Sequence, residues 1–203
     1  MTKVNFAFFV RLEAKPGKEE AAAQFLRDGS ALAQAEDGTK VWYGLRLGPS
    51  TFAISDAFED ETGRQAHLSG RVAAALIAKA PELFVAPPVI ESVDVVAAKI
   101  STGPVDRGFF LELDAKPGKE AAAKAFLTQG RDLAEQEAPT RAWFGLQFGP
   151  SKFVIFDVFQ DEAGRQAHLS GRVAAALMAN AAELFSNQLN IQPIDVLAAK
   201  MPR

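Results

Sequence analysis

A shift of 101 residues lays this chain on itself without a gap, and that internal repeat restricts its possible folds more than any other feature. Ala14-Lys15-Pro16-Gly17-Lys18-Glu19 recurs as Ala115-Lys116-Pro117-Gly118-Lys119-Glu120. The fourteen letters from Gly63 to Leu76 recur unchanged from Gly164 to Leu177. About 56 of the 97 positions compared are identical. Two copies of about 100 residues are too few and too long for a solenoid, but each matches a small domain. The expected domains are residues 1–100 and 105–203, joined by the short polar segment Ser101-Thr102-Gly103-Pro104. Such a chain imitates a two-fold homodimer, as an internal pseudo-dimer, and leaves further self-association open.

Within one copy, Val4, Phe6, Phe8, Val10 and Leu12 alternate with more polar neighbours, which predicts a strand over 4–13. Residues 18–36 carry Phe25, Leu26, Leu32 and Ala33 at helical spacing. Val41–Leu47 and Phe52–Phe58 read as two strands joined by the turn Gly48-Pro49-Ser50. A single helix is expected from Asp60-Glu61 to about Lys79, and a last strand from Ile90 to Lys99. The order βαββαβ is that of the ferredoxin-like unit. The fold class is therefore α+β: tandem ferredoxin-like βαββαβ units. The third strand carries Ala53, Ser55 and Ala57 on its second face, and Val154, Phe156 and Val158 in the repeat. That partly apolar face needs cover, which a second sheet would supply.

Composition narrows the function. Net charge is −3 with a pI near 5.5. Neither copy has a basic run, so nucleic acid and anionic membranes are not expected partners. There is no cysteine, hence no thiolate chemistry or cysteine-ligated metal. No segment carries the unbroken apolar run of a membrane span, and the N-terminus lacks a signal-peptide pattern, so a cytoplasmic location is expected.

The side chains able to do chemistry are few. The two histidines, His67 and His168, occupy the same place in each copy. Histidine titrates near neutrality without help and suits a general base. Asp56 and Asp157 lie on an otherwise apolar strand face, Phe52-Ile54-Asp56-Phe58 in the first copy. A carboxylate there must be paired, hydrated or raised in pKa, and it could orient the histidine. Capping or pairing with arginine are the structural alternatives. Arg64 and Arg71, with Arg165 and Arg172, stand three before and four after each histidine and could hold an anionic substrate, or be solvated surface groups. Trp42 with Tyr43, and Trp143 with Phe144, sit on the second strand and could stack on an aromatic ligand or simply fill a core. No metal site is expected, and no nucleotide or flavin fingerprint is present.

Asp56-Ala57-Phe58 followed by Ala66-His67-Leu68, repeated as Asp157-Val158-Phe159 and Ala167-His168-Leu169, resembles the pattern of the antibiotic-biosynthesis-monooxygenase superfamily of dimeric α/β-barrel proteins. The resemblance covers nearly all of both copies and implies that the tandem forms a pseudo-dimeric α/β barrel. It implies a cofactor-independent monooxygenase or quinol oxidase, an oxidoreductase with no cofactor. The substrate would be a small aromatic or polycyclic molecule, with histidine as base and Asp56 or Asp157 as orienter. The alternative is a non-catalytic small-molecule binding or stress-associated module of the same fold. Heme-degrading members resemble the chain less, because Leu76-Ile77 and Leu177-Met178 stand where their iron-ligand histidine lies. The copies differ near the expected pockets, with Asn5 against Asp106, Phe6 against Arg107, Arg46 against Gln147 and Ser55 against Phe156, which predicts two pockets of unequal preference.

Overall fold

A computed structural model describes residues 2–202. The elements run β1 (Phe6–Glu13), α1 (Glu19–Gln34), β2 (Thr39–Arg46), β3 (Thr51–Phe58), α2 (Glu61–Leu68), α3 (Arg71–Leu83) and β4 (Glu91–Ile100). The second copy gives β5 (Arg107–Asp114), α4 (Glu120–Ala134), β6 (Thr140–Gln147), β7 (Lys152–Phe159), α5 (Glu162–Leu169), α6 (Arg172–Leu184) and β8 (Gln192–Lys200). The chain is mixed α+β, with every sheet pairing described here antiparallel.

The expected long second helix is two helices. It breaks at Ser69-Gly70. Ser69 Oγ turns back to the carbonyls of Gln65 and Ala66, and Gly70 takes an extended ψ of −178° as the N-cap of α3. A Cβ on Gly70 would come within 2.5 Å of Glu36 Oε1. The space a side chain would need is occupied by a carboxylate that accepts from Val72 N at 3.4 Å, an orphan amide of the α3 N-terminus. The break thus makes room for a half-buried acid.

The compact units do not coincide with the repeats. One unit comprises residues 2–92 and 194–202, and the other residues 93–193. Each takes its fourth strand from the other repeat, so a boundary at residues 101–104 does not separate them. In the first unit the strand order is β1-β3-β2-β8, with Tyr43 opposite Ala199 and Trp42 opposite Lys200. In the second it is β5-β7-β6-β4, with Phe144 opposite Ala98 and Trp143 opposite Lys99. A lysine fixes each added strand. Lys200 Nζ donates to the carbonyls of Ala33 (2.9 Å) and Glu36 (2.6 Å) beyond the end of α1. Lys99 Nζ donates to Ala134 (2.7 Å) and Glu137 (2.7 Å) at the end of α4. Each of these carbonyls also accepts a backbone N–H, from Glu36, Thr39, Glu137 and Thr140 in turn, and the lysine adds a charged donor at the negative end of the helix dipole.

Each core forms between helices and one sheet face. Leu12, Leu26, Trp42, Phe52, Ile54 and Leu76 lead the first, and Leu113, Leu127, Trp143, Phe153, Ile155 and Leu177 the second. The same strands place Asp56 and Asp157, both 2% exposed, two residues beyond the core isoleucines.

Candidate functional site

In both copies a histidine is clamped between two carboxylates. His67, on α2, donates from Nδ1 to Glu36 Oε2 at 2.6 Å, and its Nε2 faces Asp56 Oδ2 at 3.2 Å. Thr39 Oγ1 donates to the same Glu36 oxygen at 3.0 Å and lies 3.1 Å from Nδ1. His168 repeats the arrangement with Glu137 at 2.6 Å, Asp157 at 3.3 Å and Thr140 at 3.3 Å. The rings are 6% and 7% exposed, enclosed by Phe8 and Phe58 in one copy and Phe109 and Phe159 in the other.

With an acid facing each nitrogen, the imidazolium is the form that satisfies every atom. Burial alone would lower the histidine pKa. The hydrogen bond and charge of Asp56, then those of Glu36, outweigh it and push His67 up to about 9. Asp157 and Glu137 likewise overcome burial and push His168 up to about 10. At neutral pH neither ring keeps a lone pair for a substrate proton. Burial raises the Asp56 carboxyl above its ordinary value, and the imidazolium opposes this in part. Burial also acts to raise Glu137, but its bonds to His168, Val173 N and Thr140 prevail and lower it.

The two aspartates differ. Asp157 Oδ1 accepts from Phe109 N at 3.1 Å. Asp56 Oδ1 is buried with no partner in good hydrogen-bond geometry, although the equivalent amide, Phe8 N, still acts on the carboxyl and lowers it. The free space differs as well. Beside His168 and Asp157 lies a cavity of about 30 Å³, walled by Phe109, Ile155, Val173 and Leu177. That holds about one water-sized molecule. In the first unit a cavity of about 230 Å³ lies among Phe25, Leu26, Trp42, Ile54, Val72 and Leu76. Ile54, Val72 and Leu76 are the repeat equivalents of Ile155, Val173 and Leu177, so both spaces open on the same core wall. The larger exceeds the roughly 150 Å³ apolar cavity that accepts benzene.

The remaining candidates lie as follows. Arg64 pairs with Glu61 at 2.6 Å and stacks over Phe6 and Phe8, 5.0 and 5.5 Å from the ring centroids. Arg165 pairs with Glu162 and covers Phe109. These arginines cover the aromatic wall around the histidine. Arg71 and Arg172 open α3 and α6, exposed, beyond the helix break, so the spacing that placed them beside the histidine does not apply. Arg172 instead bonds Gln136. Trp42 and Trp143 are core residues, and Trp42 also lines the larger cavity. Tyr43 is buried, its hydroxyl donating to Met201 Sδ at 3.2 Å, and Phe144 stacks on Phe156. Of the diverged positions, Arg107 faces Asp106 and Glu162 where Phe6 lies under Arg64.

Glu36, Glu137, Thr39 and Thr140 were not among the expected site residues. Their one sequence signal is identity between the copies, at the end of a helix where an acid usually reads as solvated. Among the described residues no group of three or more His, Cys, Asp or Glu has a geometry that could hold a metal ion. No helix of the described residues is long and apolar enough to cross a membrane.

No family model matches the chain, and no curated protein matches it. Solved structures do. A candidate monooxygenase from Fusobacterium nucleatum subsp. nucleatum is 16% identical over 99% of this chain and 96% of its own, with a TM-score of 0.83. An anthrone oxidase-like protein is 10% identical over 98% of this chain and 94% of its own, at 0.64. A protein of unknown function from Nitrosomonas europaea is 56% identical over 49% of this chain and 97% of its own, at 0.47. Likeness at 16% and 10% identity shows the fold, and ferredoxin-fold relatives of the antibiotic biosynthesis monooxygenases share it. The chain thus has the fold of these structures, a ferredoxin-like unit carried twice in one polypeptide.

Proposed function

We propose that the chain is a cofactor-independent oxidoreductase of the monooxygenase or quinol-oxidase kind, acting on a small aromatic or polycyclic molecule in the first unit. One observation carries the reading: Asp56 Oδ1 is a buried acceptor with no partner in good hydrogen-bond geometry, beside an imidazolium charged at neutral pH. A carboxylate raised by burial is a better proton acceptor than an exposed one. An adjacent cation lowers the energy of an enolate or phenolate as it forms. The histidine thus acts as charge stabiliser and the aspartate as base, the reverse of the roles the sequence suggests.

The substrate releases a proton from an activated C–H or phenolic O–H to Asp56. The resulting anion is electron-rich enough to reduce dioxygen. An anthrone-type CH2 then becomes C=O, consuming one O2 and releasing one water. A quinol instead becomes a quinone, reducing one O2 to H2O2 and giving up two protons. The anthrone oxidase-like neighbour makes the first class the natural starting probe. The 230 Å³ cavity would hold the rings; it is walled by Ile54, two residues before Asp56 on the same strand, while Asp56 and His67 do not themselves line it.

The test is oxygen uptake with anthrones and quinols and no added cofactor. Asp56→Asn should lower uptake at least 100-fold, and Asp157→Asn should leave most of it. Equal losses in both variants would reject the assignment to the first unit. No uptake with any member, together with ring binding in the first cavity, would establish the alternative, a non-catalytic small-molecule binding module. The doubly bonded histidine is the feature that favours that second reading.

A further inference from the structure

A second cavity, of about 420 Å³, lies in the first unit at the C-terminal end of α3 and the segment leading to β4. Ile77, Phe84, Val85, Pro87 and Ile90 give it an apolar wall, and Lys15 stands at its edge. This volume is in the range of small-molecule sites. The wall is built to keep its shape. Pro81, Pro87 and Pro88 each fix a backbone dihedral. Ala14 bridges to Phe84, Lys15 N donates to Leu83 O at 2.9 Å, and Val85 N donates to Glu13 O at 2.9 Å. Ile77 and Val85 are 62% and 61% exposed, so this wall is open to solvent.

Lys15 supplies the polar end. Its Nζ donates to Pro81 O at 2.6 Å, and Pro81 is itself part of the wall, so the ammonium is held at the cavity. An ammonium has three N–H donors, and this bond uses one. Among the described residues no carboxylate is paired with Lys15, whereas Lys79 and Lys119 each pair with a glutamate.

The second copy keeps the lysine and, with Met178, Phe185 and Ile191, part of the apolar wall, but changes the segment that closes it. Lys116 Nζ donates to Ala182 O at 2.6 Å, as Lys15 does to Pro81. Val85-Ala86-Pro87-Pro88, however, is replaced by Ser186-Asn187-Gln188-Leu189. Asn187 folds back, accepting from Asp114 N at 2.8 Å and donating to Glu112 O at 2.8 Å. The same scaffold therefore carries a more polar segment with a self-bonded Asn187 in one copy and a proline-rich apolar segment in the other.

We infer that this cavity binds an amphipathic monocarboxylate, its apolar body against Ile77, Phe84 and the proline segment and its carboxylate on Lys15. The site is separate from the His67 cluster and does not depend on any reading of that cluster.

Decanoate is the probe, with decanol as its uncharged counterpart, each added to the full chain at constant pH. Isothermal titration measures affinity, and methyl NMR of Ile77 and Ile90 reports location. Decanoate should bind, shift both methyl signals, and weaken at least tenfold in Lys15→Gln and in Ile77→Asp. Decanol should bind wild type and Lys15→Gln alike. Both substitutions lie outside the core, and a circular-dichroism melt confirms that each variant is folded. Decanoate affinity unchanged in Lys15→Gln, methyl shifts away from Ile77 and Ile90, or no binding at millimolar decanoate would each overturn the inference.

Discussion

Replacing Lys99 with methionine should destabilise the second unit by about 2–4 kcal/mol, since two carbonyls lose their charged donor and keep only one backbone N–H each, Glu137 N on Ala134 O and Thr140 N on Glu137 O. Lys99 is 5% exposed, and its ammonium reaches both Ala134 O and Glu137 O at 2.7 Å. Methionine keeps most of the stem's apolar contacts, so the loss falls on the charged tip. Hydrogen bonds to a charged group are worth about 1.5–3 kcal/mol, and the helix-end charge interaction adds about 0.3–1 kcal/mol. Burial lowers the Lys99 pKa, a desolvation cost that methionine does not share, and this holds the net effect below the sum of those terms. Urea unfolding followed by tryptophan fluorescence measures the change, since Trp143 sits in that unit's core. With a slope near 2 kcal/mol/M, the midpoint should fall by about 1–2 M. The effect should reach the histidine as well. Glu137 gives its carbonyl to Lys99 and its carboxylate to His168, so loosening the first should lower the His168 pKa. A loss below about 0.5 kcal/mol with His168 unmoved would refute the view that this lysine fixes the added strand.

Stability should also fall as pH rises above neutrality. The histidines are held at about 9 and about 10 in the folded state, against about 6.5 when unfolded. Their stabilisation is complete below pH 6.5 and lost as pH rises through 9 to 10, at about 1.4 kcal/mol per pH unit for each histidine. Urea unfolding at pH 7, 8 and 9 should show that slope, and His67→Gln/His168→Gln should flatten it. In Gly70→Ala the new Cβ should push Glu36 off His67, lowering the His67 pKa while His168 stays put, read by proton NMR. Asp60→Ala should cost about 1 kcal/mol in urea unfolding, because Asp60 Oδ1 caps α2 by accepting from Gly63 N at 2.8 Å.

The strands were readable because large apolar side chains recur at every second residue, as in Phe6, Phe8, Val10 and Leu12 and in Phe52 and Ile54, although burial also takes in the residues between them. The break between α2 and α3 was not. Ala66 through Ala80 keep helical composition across Gly70, and only a tertiary neighbour, the Glu36 carboxylate, explains the interruption. The pairing of β8 with β2 was equally hidden. The apolar pattern of Val93–Ala98 states which face is buried but not which sheet receives it, and Lys99 and Lys200 read as ordinary solvated ends. At the site, His67 and Asp56 stood out as rare types on apolar surroundings. Glu36 did not, because one acid among many at a helix end carries no local signal. Missing it reversed the chemistry, since a histidine with one carboxylate is an oriented base and a histidine with two is a cation.

Nitrogen-15 NMR of the two imidazole rings across pH 6–11 therefore bears most directly on this account. Both nitrogens of both rings should be protonated at pH 7.5, with protons lost near pH 9 for His67 and near pH 10 for His168. A neutral ring at pH 7.5 in either copy would contradict the clamped imidazolium and return the histidine to the role of free base.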